Sequence, residues 1–585
     1  MKSPRVTVSR DLGARLACIC IGILVAFCNV NSRVLLGDKS LWRDVGYDQG
    51  GGLAAFRFFQ SESWGYPLLV VRSLGENGTG IIFTDSNALL AIVAKTFSFL
   101  PVESERWWGL WILLLFAGQS VSICHFLQSL GVRRIEILIS GALIGVLTPF
   151  FLFRLQHPAL AAHFLIILAM SYLARISLHE ETRCNVTRLA TITLASFLVH
   201  PYIFAMCMIV LFAALWVALS SRQITLRGAT RPVLVLFLAV LMIFWQADGL
   251  GRKTAPSNAG PIYSTSLFSP ISPQKSSVVP DGNFVEPLTS WEGFAWIGLG
   301  NLFLAAGALA MVVKAIRSRS LKSAVQGKWG LLGCATFAFW FALGPELHLI
   351  DTITIPYPFT LSRLAVSLLV VLSLSATIIR LAPSDHRTRG RFFLIAFVAS
   401  AAIIIFGERI YMKAFDYFRA NGRFVWMLSY LIITAGFLMI SRQKPRVLGA
   451  SVCVVVALLQ IVDTGRLRDW PNELVIEDSL GRNEGIDSLR DFLRPLESIS
   501  IWPPQSCLTS AQAAESFRDV VIAASIEQTP VRSNYAARPI VESCALDAMD
   551  QSEPRIAIVQ GVDDLSPEQW SCYPVWTLHA CDRVR

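Results

Sequence analysis

The sequence has few charged residues. Asp, Glu, Lys and Arg make up 16% of the 585 positions, whereas hydrophobic residues make up 54% and the mean hydropathy is +0.54. This composition excludes an ordinary soluble protein and indicates a polytopic membrane protein. The formal net charge is +10, but the basic residues occur in short clusters between apolar segments. Such clusters orient membrane helices, so we expect no nucleic-acid partner.

Several chemical motifs are also missing. The chain has no Gly-rich phosphate-binding loop, no Cys-x-x-Cys pair and no Gly-x-Ser-x-Gly nucleophile elbow. It also lacks the Asp-x-Asp with which soluble nucleotide-sugar transferases hold a metal. Any chemistry must therefore come from side chains that the fold brings together.

The apolar segments predict an all-α polytopic bundle of about thirteen membrane-spanning helices. The basic start of the chain puts the N-terminus in the cytoplasm. The apolar block Leu189–Leu219 has basic residues on both flanks, so we predict a break at His200-Pro201. The predicted spans are Ala14–Leu36, Trp107–Leu130, Ile135–Phe153, Ala159–Leu178, Leu189–Val199, Ile203–Leu219, Pro232–Gln246, Trp291–Val313, Trp329–Leu343, Leu361–Leu381, Phe392–Phe406, Phe424–Ile440 and Val447–Val462.

Two domains follow from this pattern, a membrane domain over residues 1–463 and a tail over residues 464–585. The tail contains no lysine, and we predict a small extracytoplasmic α/β domain. Its strand-like runs are Ser498–Trp502, Val520–Ala524, Arg555–Val559 and Val575–Leu578, and its helical runs are Ala511–Phe517 and Pro567–Trp570. Its four cysteines, Cys507, Cys544, Cys572 and Cys581, are compatible with two disulfides of unknown pairing and equally with free thiols.

Loop 37–86, the first predicted outer loop, is too long and too polar for a simple connector. Transfer of a sugar from a phosphate-linked donor needs a base for the acceptor hydroxyl and cations for the phosphate leaving group. We predict Asp48 as the base, with Asp44 as the second catalytic carboxylate, and Arg419 and Arg423 as phosphate-binding residues. Such aspartates are also typical of solvated or helix-capping residues and such arginines of interfacial anchors, so the prediction depends on their joint occurrence.

Further polar residues at the outer helix ends imply a hydrated cavity, because charges at lipid depth are costly unless they face water or a partner. We predict that Arg57, Asp85, His157 and His200 bind substrate there, although His200 is equally compatible with a simple helix end. The sequence leaves the need for a metal open. Asp48 is the candidate ligand for Mg²⁺ or Mn²⁺.

The order of these features resembles the membrane-embedded GT-C glycosyltransferase superfamily, and more narrowly a bacterial family of uncharacterised GT-C-like multi-pass proteins. This resemblance implies a polyprenyl-phosphate-linked sugar as donor, a glycolipid or cell-envelope polysaccharide as acceptor, and a place in the cytoplasmic membrane. It also implies that Asp48 is a base or metal ligand. The segments that carry it are Asp48 with Phe58-Phe59, Trp64-Gly65-Tyr66-Pro67, Ile82-Phe83-Thr84-Asp85-Ser86, Phe153-Arg154-Leu155-Gln156-His157 and Phe418-Arg419-Ala420-Asn421-Gly422-Arg423-Phe424.

Two other functions stay open at this point. A transporter or flippase of lipid-linked saccharides would have paired repeats with broken helices at mid-membrane. We find no internal repeat, and the ionisable residues gather at one face, which favours the enzyme. A scaffold for envelope assembly with an inactive site is the other alternative.

Overall fold

The computed structural model is built mainly from α-helices. It describes residues 4–42, 45–250, 263–280, 292–317, 328–343, 347–350, 353–355, 417–443, 445–472, 478–536, 544, 555–560, 569–576 and 578–583. Its longer helices are Pro4–Asn29, Tyr47–Ser61, Ala88–Thr96, Ser104–Ser129, Ile135–Val146, His163–Ser177, Thr182–Val199, Pro201–Ser220, Leu226–Gln246, Leu299–Arg317, Trp329–Ala342, Trp426–Ser441, Arg446–Asp463, Gly465–Asn472, Asp478–Leu493 and Ala511–Glu527.

Several of the helices are candidates to cross a membrane. Seven segments are long and apolar enough to cross a membrane, namely Asp11–Asn29, Ser104–Ser129, Ile135–Gln156, Pro201–Ser220, Leu226–Gln246, Asn421–Ser441 and Arg446–Asp463. Three shorter apolar helices accompany them, His163–Ser177, Leu299–Ala310 and Trp329–Ala342. The predicted spans Leu361–Leu381 and Phe392–Phe406 lie outside the described residues. Seven spans are therefore supported by length and composition, and the count of thirteen stays a prediction.

Helix ends show where local chemistry overrides apolar runs. The predicted break at His200 is confirmed, because one helix ends at Val199 and the next begins at Pro201. The predicted span Ala14–Leu36 is too long, since its helix ends at Asn29. The side chain of Asn31 then accepts a hydrogen bond from the backbone of Arg33 and starts a new short turn. Such side-chain bonds compete with helix continuation.

Loop 37–86 folds into a helix and a small hairpin. Its helix, Tyr47–Ser61, carries an aromatic run of which Phe56, Phe58 and Phe59 are fully buried. The two-residue strands Val70–Val71 and Thr79–Gly80 pair antiparallel. The helix that follows the loop, Ala88–Thr96, has only nine residues, too few to cross a hydrocarbon core of roughly 30 Å.

The tail contains a four-stranded sheet in the order Ser500–Trp502, Arg555–Ile558, Leu578–Arg583 and Trp570–Val575. The first pair is parallel and the other two pairs are antiparallel. Two disulfides join Cys507 to Cys544 and Cys572 to Cys581.

Two of the predicted tail strands are wrong. Val520–Ala524 lies inside the helix Ala511–Glu527, because a short buried apolar run has the same composition in a helix as in a strand. Val575–Leu578 spans the turn of a hairpin, between the strand that ends at Val575 and the strand that begins at Leu578.

The tail docks directly on loop 37–86. The helix Ala511–Glu527 packs along the helix Tyr47–Ser61. Beyond this helix, the backbone N–H of Val531 donates to the Ser73 carbonyl at 2.8 Å, and the N–H of Gly75 donates back to Val531 at 2.8 Å. The loop and the tail therefore form one unit, although they are far apart in the sequence.

Candidate functional site

Asp48 lies in the first turn of the helix Tyr47–Ser61, where the helix dipole favours a carboxylate. The chain beside it is tightly packed, since a Cβ added at Gly50 would lie 1.8 Å from the Val45 carbonyl oxygen. The Asp48 side chain itself is 48% exposed. Its carboxylate is thus firmly placed by the backbone yet open to a ligand.

Two nitrogen groups face the Asp48 carboxylate. Nη2 of Arg518 lies 3.3 Å from Oδ1, and Nδ1 of His157 lies 3.9 Å from Oδ2. Burial lowers the pKa of His157 to about 4, although the charges of Asp48 and Glu292 oppose this shift. His157 is therefore neutral at pH 7. Its distance from Asp48 exceeds a hydrogen bond and leaves room for a bridging hydroxyl or water.

Asp85 is the second carboxylate of the site. It has a positive φ of 56° and follows the short turn Ile81–Phe83, and its Oδ1 lies 3.9 Å from Nε2 of His200. Nδ1 of His200 accepts a hydrogen bond from the backbone of Tyr202, so the neutral ring carries its proton on Nε2. Burial, followed by the charge of Asp48, raises the pKa of Asp85 to about 6. A carboxylate with this pKa is a better proton acceptor near neutrality than an ordinary aspartate.

Glu292 lies beneath these groups and binds two arginines. Both of its carboxylate oxygens accept hydrogen bonds from Arg423, at 2.8 and 2.6 Å, and Nη1 of the fully buried Arg154 lies 2.9 Å away. The Arg423 guanidinium also stacks 4.5 Å from the ring centre of Tyr202. Burial would raise the pKa of Glu292, but the two guanidiniums outweigh it and hold the pKa far below its usual value. Glu292 is therefore ionised at every physiological pH.

The structure brings most of the predicted site residues together. The pKa of Asp85 depends on the charges of Asp48, Arg423 and Arg419, which places all four groups in one electrostatic neighbourhood. Arg419 is exposed, and within the described residues its side chain makes no ion pair. The site cluster consists of Asp48, Asp85, Arg154, His157, His200, Tyr202, Glu292, Arg419, Arg423 and Arg518. Asp44 lies outside the described residues.

Arg57 contacts a different set of groups. Its guanidinium pairs with Glu105 at 2.9 Å, and both side chains are only 6% exposed. It also donates to the backbone carbonyl of Trp42 at 3.1 Å and to the hydroxyl of Ser525 at 3.4 Å. These bonds join loop 37–86 to the helix Ser104–Ser129 and to the tail. Arg57 as a substrate-binding residue stays a prediction, and its contacts give it an anchoring role.

Sequence reasoning missed three members of the site cluster, Tyr202, Glu292 and Arg518. Glu292 was hidden because the predicted span Trp291–Val313 includes it, whereas the helix begins only at Leu299. Arg518 lies in the tail helix, about 470 positions after Asp48, and no local pattern links the two. The predicted topology did put the tail and loop 37–86 on one side, which was the only signal.

The donor set near Asp48 does not fit a resident Mg²⁺ or Mn²⁺. Within the described residues no group of three His, Cys, Asp or Glu side chains is close enough to share a metal ion. The nearest cation of the described chain is the Arg518 guanidinium, which occupies one carboxylate oxygen of Asp48. We therefore derive no step through a metal.

Comparison with known proteins gives a family but no function. The model of a family described as a domain of unknown function, DUF6311, matches residues 19–375 and 395–465. No curated protein and no solved structure matches the chain. The matched residues include the site cluster except for Arg518, which lies beyond them.

Proposed function

Because the chain belongs to the DUF6311 family, whose function is unknown, we propose its activity from the site itself. We propose that it is an integral membrane glycosyltransferase of the GT-C type. It moves a sugar from a polyprenyl-phosphate donor to a glycolipid or cell-envelope polysaccharide. The observation that carries this proposal is that Asp48, Arg419 and Arg423 all lie close enough to Asp85 for their charges to act on its carboxylate.

The expected location is the cytoplasmic membrane, with the N-terminus inside and the tail outside. Two disulfides in the tail support an oxidising compartment for it. Since the tail docks on loop 37–86, the site belongs to the same compartment as the tail. The resemblance to the GT-C superfamily implies a lipid-linked donor, which would reach the site from the membrane.

The site adjoins a surface that suits a polyprenyl chain. The segment that carries Asp85 packs on the helix Leu226–Gln246, with the Phe83 and Phe244 ring centres 5.5 Å apart. Only 11% of the apolar stretch of that helix is buried within the protein. A donor with its chain beside this helix would present its phosphate to the adjoining cluster.

The proposed reaction uses the cluster in two ways. An acceptor hydroxyl attacks the anomeric carbon of the donor sugar while Asp48 takes the hydroxyl proton. The bond between the anomeric carbon and the phosphate oxygen breaks, and polyprenyl phosphate leaves with both electrons of that bond. Arg419 stabilises the leaving phosphate, whereas Arg423 is held by both carboxylate oxygens of Glu292 and supports the site as a fixed group. Asp85 binds a sugar or acceptor hydroxyl.

The test is sugar transfer by purified protein, with polyprenyl-phosphate hexoses as donors and envelope glycolipid extract as acceptor. Asp48→Asn should lower the rate at least about 100-fold, with normal membrane insertion. Asp38→Asn is the matched control, because Asp38 lies in the same loop but pairs with Arg33 at 2.6 Å. Unchanged transfer by Asp48→Asn would remove the assignment, and a loss confined to Asp85→Asn would move the base to Asp85.

One observation favours the transport alternative. Inside the bundle, Gln119 donates to the Tyr430 hydroxyl at 2.7 Å, and that hydroxyl lies 2.8 Å from Nδ1 of His163. Buried polar side chains in membrane helices often mark transport pathways. Movement of a polyprenyl-phosphate sugar between the leaflets of proteoliposomes without acceptor, abolished by His163→Ala but not by Asp48→Asn, would favour transport over transfer.

A further inference from the structure

We propose that Arg518 of the tail binds the donor phosphate, and that it lies on Asp48 only until that phosphate arrives. This inference rests on the proposed glycosyl transfer and names the residue that links donor binding to base release. With Arg518 withdrawn, the Asp48 carboxylate is free to accept the proton of the acceptor hydroxyl. The tail would then complete the site instead of merely covering it.

The Arg518–Asp48 contact has the features of an exchangeable pair. The nitrogen and oxygen lie 3.3 Å apart, with 20% of the Arg518 side chain and 48% of the Asp48 side chain exposed. Partly exposed pairs of this kind are weak, because water solvates both charges. The donor phosphate is a diester with one negative charge, as in a carboxylate, and its two free oxygens match the guanidinium fork.

The tail helix holds Arg518 firmly against the site. Beside it, the tip of Ile522 would lie 2.8 Å from a Cβ added at Gly50, and the Tyr535 hydroxyl would lie 1.8 Å from a Cβ added at Gly51. The Tyr535 hydroxyl also lies beside the Arg518 guanidinium. The side chain therefore has to move only at its tip in order to change partner.

The charge pattern of the cluster leaves a role for Arg518. Arg154 and Arg423 share the one carboxylate of Glu292, at 2.9 Å and 2.6 Å, so the three groups keep one net positive charge but both guanidiniums are held by Glu292. Arg419 is exposed and contributes one cation. The phosphate carries one negative charge in the donor diester and close to two in the leaving monoester at pH 7. Beside Arg419, Arg518 would supply a second cation that Glu292 does not hold, for the charge that develops on the leaving phosphate.

The experiment measures the binding of farnesyl phosphate, a short analogue of the leaving polyprenyl phosphate that keeps the lipid-phosphate part of the donor, to the full chain in detergent. Farnesol, which lacks the phosphate, is the ligand control. We expect Arg518→Gln to weaken the binding of farnesyl phosphate about tenfold and to leave the binding of farnesol unchanged. Asp48→Asn should tighten the binding of farnesyl phosphate several-fold when Arg518 is present, because the competing carboxylate is gone. The same change in an Arg518→Gln background should have a smaller effect.

The variant controls separate binding from folding. Arg494→Gln removes an arginine of the same tail whose partner Glu527 keeps its 2.7 Å bond to Arg490, and it should bind like the wild type. Arg518→Lys keeps the charge but loses the fork, and it should bind with intermediate affinity even if Arg518→Gln is unstable.

Two results would overturn the inference, and they differ in scope. Equal farnesyl phosphate affinity in wild type, Arg518→Lys and Arg518→Gln, or no tightening by Asp48→Asn, would overturn it while the glycosyltransferase proposal stands. A wild-type protein that does not distinguish farnesyl phosphate from farnesol would overturn the donor class, and the inference with it.

Discussion

The helix Tyr47–Ser61 carries a charged residue near each end, and the two lie in opposite surroundings. Near its C-terminal end, Arg57 is 6% exposed and pairs with Glu105 at 2.9 Å. In its first turn, Asp48 is 48% exposed and has its nearest cation at 3.3 Å. The tail helix contacts both ends, through Ser525 at Arg57 and through Arg518 at Asp48.

The difference separates a structural anchor, the buried Arg57–Glu105 pair, from the candidate site at Asp48. Every partner of Arg57 named above is a fixed protein group, so the fold holds its guanidinium in place. Asp48 has a long contact to neutral His157 and a solvated one to Arg518, so both partners can be exchanged for substrate atoms. On this helix, therefore, a charge alone does not identify a functional residue. The distance and burial of its ion pairs do.

The largest stability effect should come from breaking the anchor. Glu105→Gln leaves the Arg57 guanidinium buried without its counter-charge, which should lower the free energy of unfolding by about 3–5 kcal/mol. Thermal unfolding in detergent measures this change. Asp38→Asn, which breaks an exposed pair with Arg33, should cost less than about 1 kcal/mol. Stable Glu105→Gln protein that has lost sugar transfer would contradict the comparison, because Arg57 would then belong to the site.

A smaller effect should come from pushing the tail away from the Asp48 end of the helix. A Cβ at Gly51 would lie 1.8 Å from the Tyr535 hydroxyl and 2.8 Å from its ring carbon. Gly51→Ala should therefore destabilise the protein by about 1–3 kcal/mol and lower activity, since Arg518 moves with the tail. Tyr535→Phe should rescue Gly51→Ala in part, because it removes the nearest atom but not the ring. Normal activity in Gly51→Ala would mean that the tail does not serve the site.

The sequence predicted those features that depend on local pattern. Apolar length predicted the membrane class, basic flanks with Pro201 predicted the break at His200, and loop 37–86 was recognised from its polar content. The sequence also grouped Asp48 with Arg423, because the predicted alternation of thirteen spans puts both on the outer face, and that topology stays a prediction. All of these depend on composition over a dozen residues or more.

The rest depends on contacts that no local pattern encodes. Arg57 lies in an aromatic run whose Phe56 and Phe58 are fully buried, which indicates burial, but its partner Glu105 lies 48 positions later. Arg518 meets Asp48 only because the tail folds back across loop 37–86. Glu292 is bound by two arginines from different helices, and only the folded chain brings the three together.

The smallest predicted effect is the change in stability caused by Asp85→Asn. Its sign distinguishes a residue of the open site from a residue of the anchor. Burial and the charge of Asp48 raise the pKa of Asp85 to about 6, so between the unfolded pKa and pH 6 the folded state binds the proton more tightly. Stability therefore falls as pH rises through this window, and above it the ionised Asp85 destabilises the fold. Asp85→Asn should stabilise the protein by roughly 1 kcal/mol at pH 7.5 and have little effect at pH 4, a small value because 38% of the side chain is exposed. Asparagine tolerates the positive φ of this position.

Asp38→Asn is the control of opposite sign, because hydrogen bonds from Ser40 and Arg33 lower the pKa of Asp38. The stability that Asp38 contributes is present at neutral pH and is lost as pH falls through its folded pKa. Thermal unfolding at pH 7.5 should thus show Asp85→Asn more stable than the wild type and Asp38→Asn less stable, and between pH 4 and pH 7.5 only the Asp85→Asn difference should change substantially. If both variants lose stability at pH 7.5, Asp85 is held by compensating contacts like those of an anchor, and its place as an open group of the site would have to be abandoned.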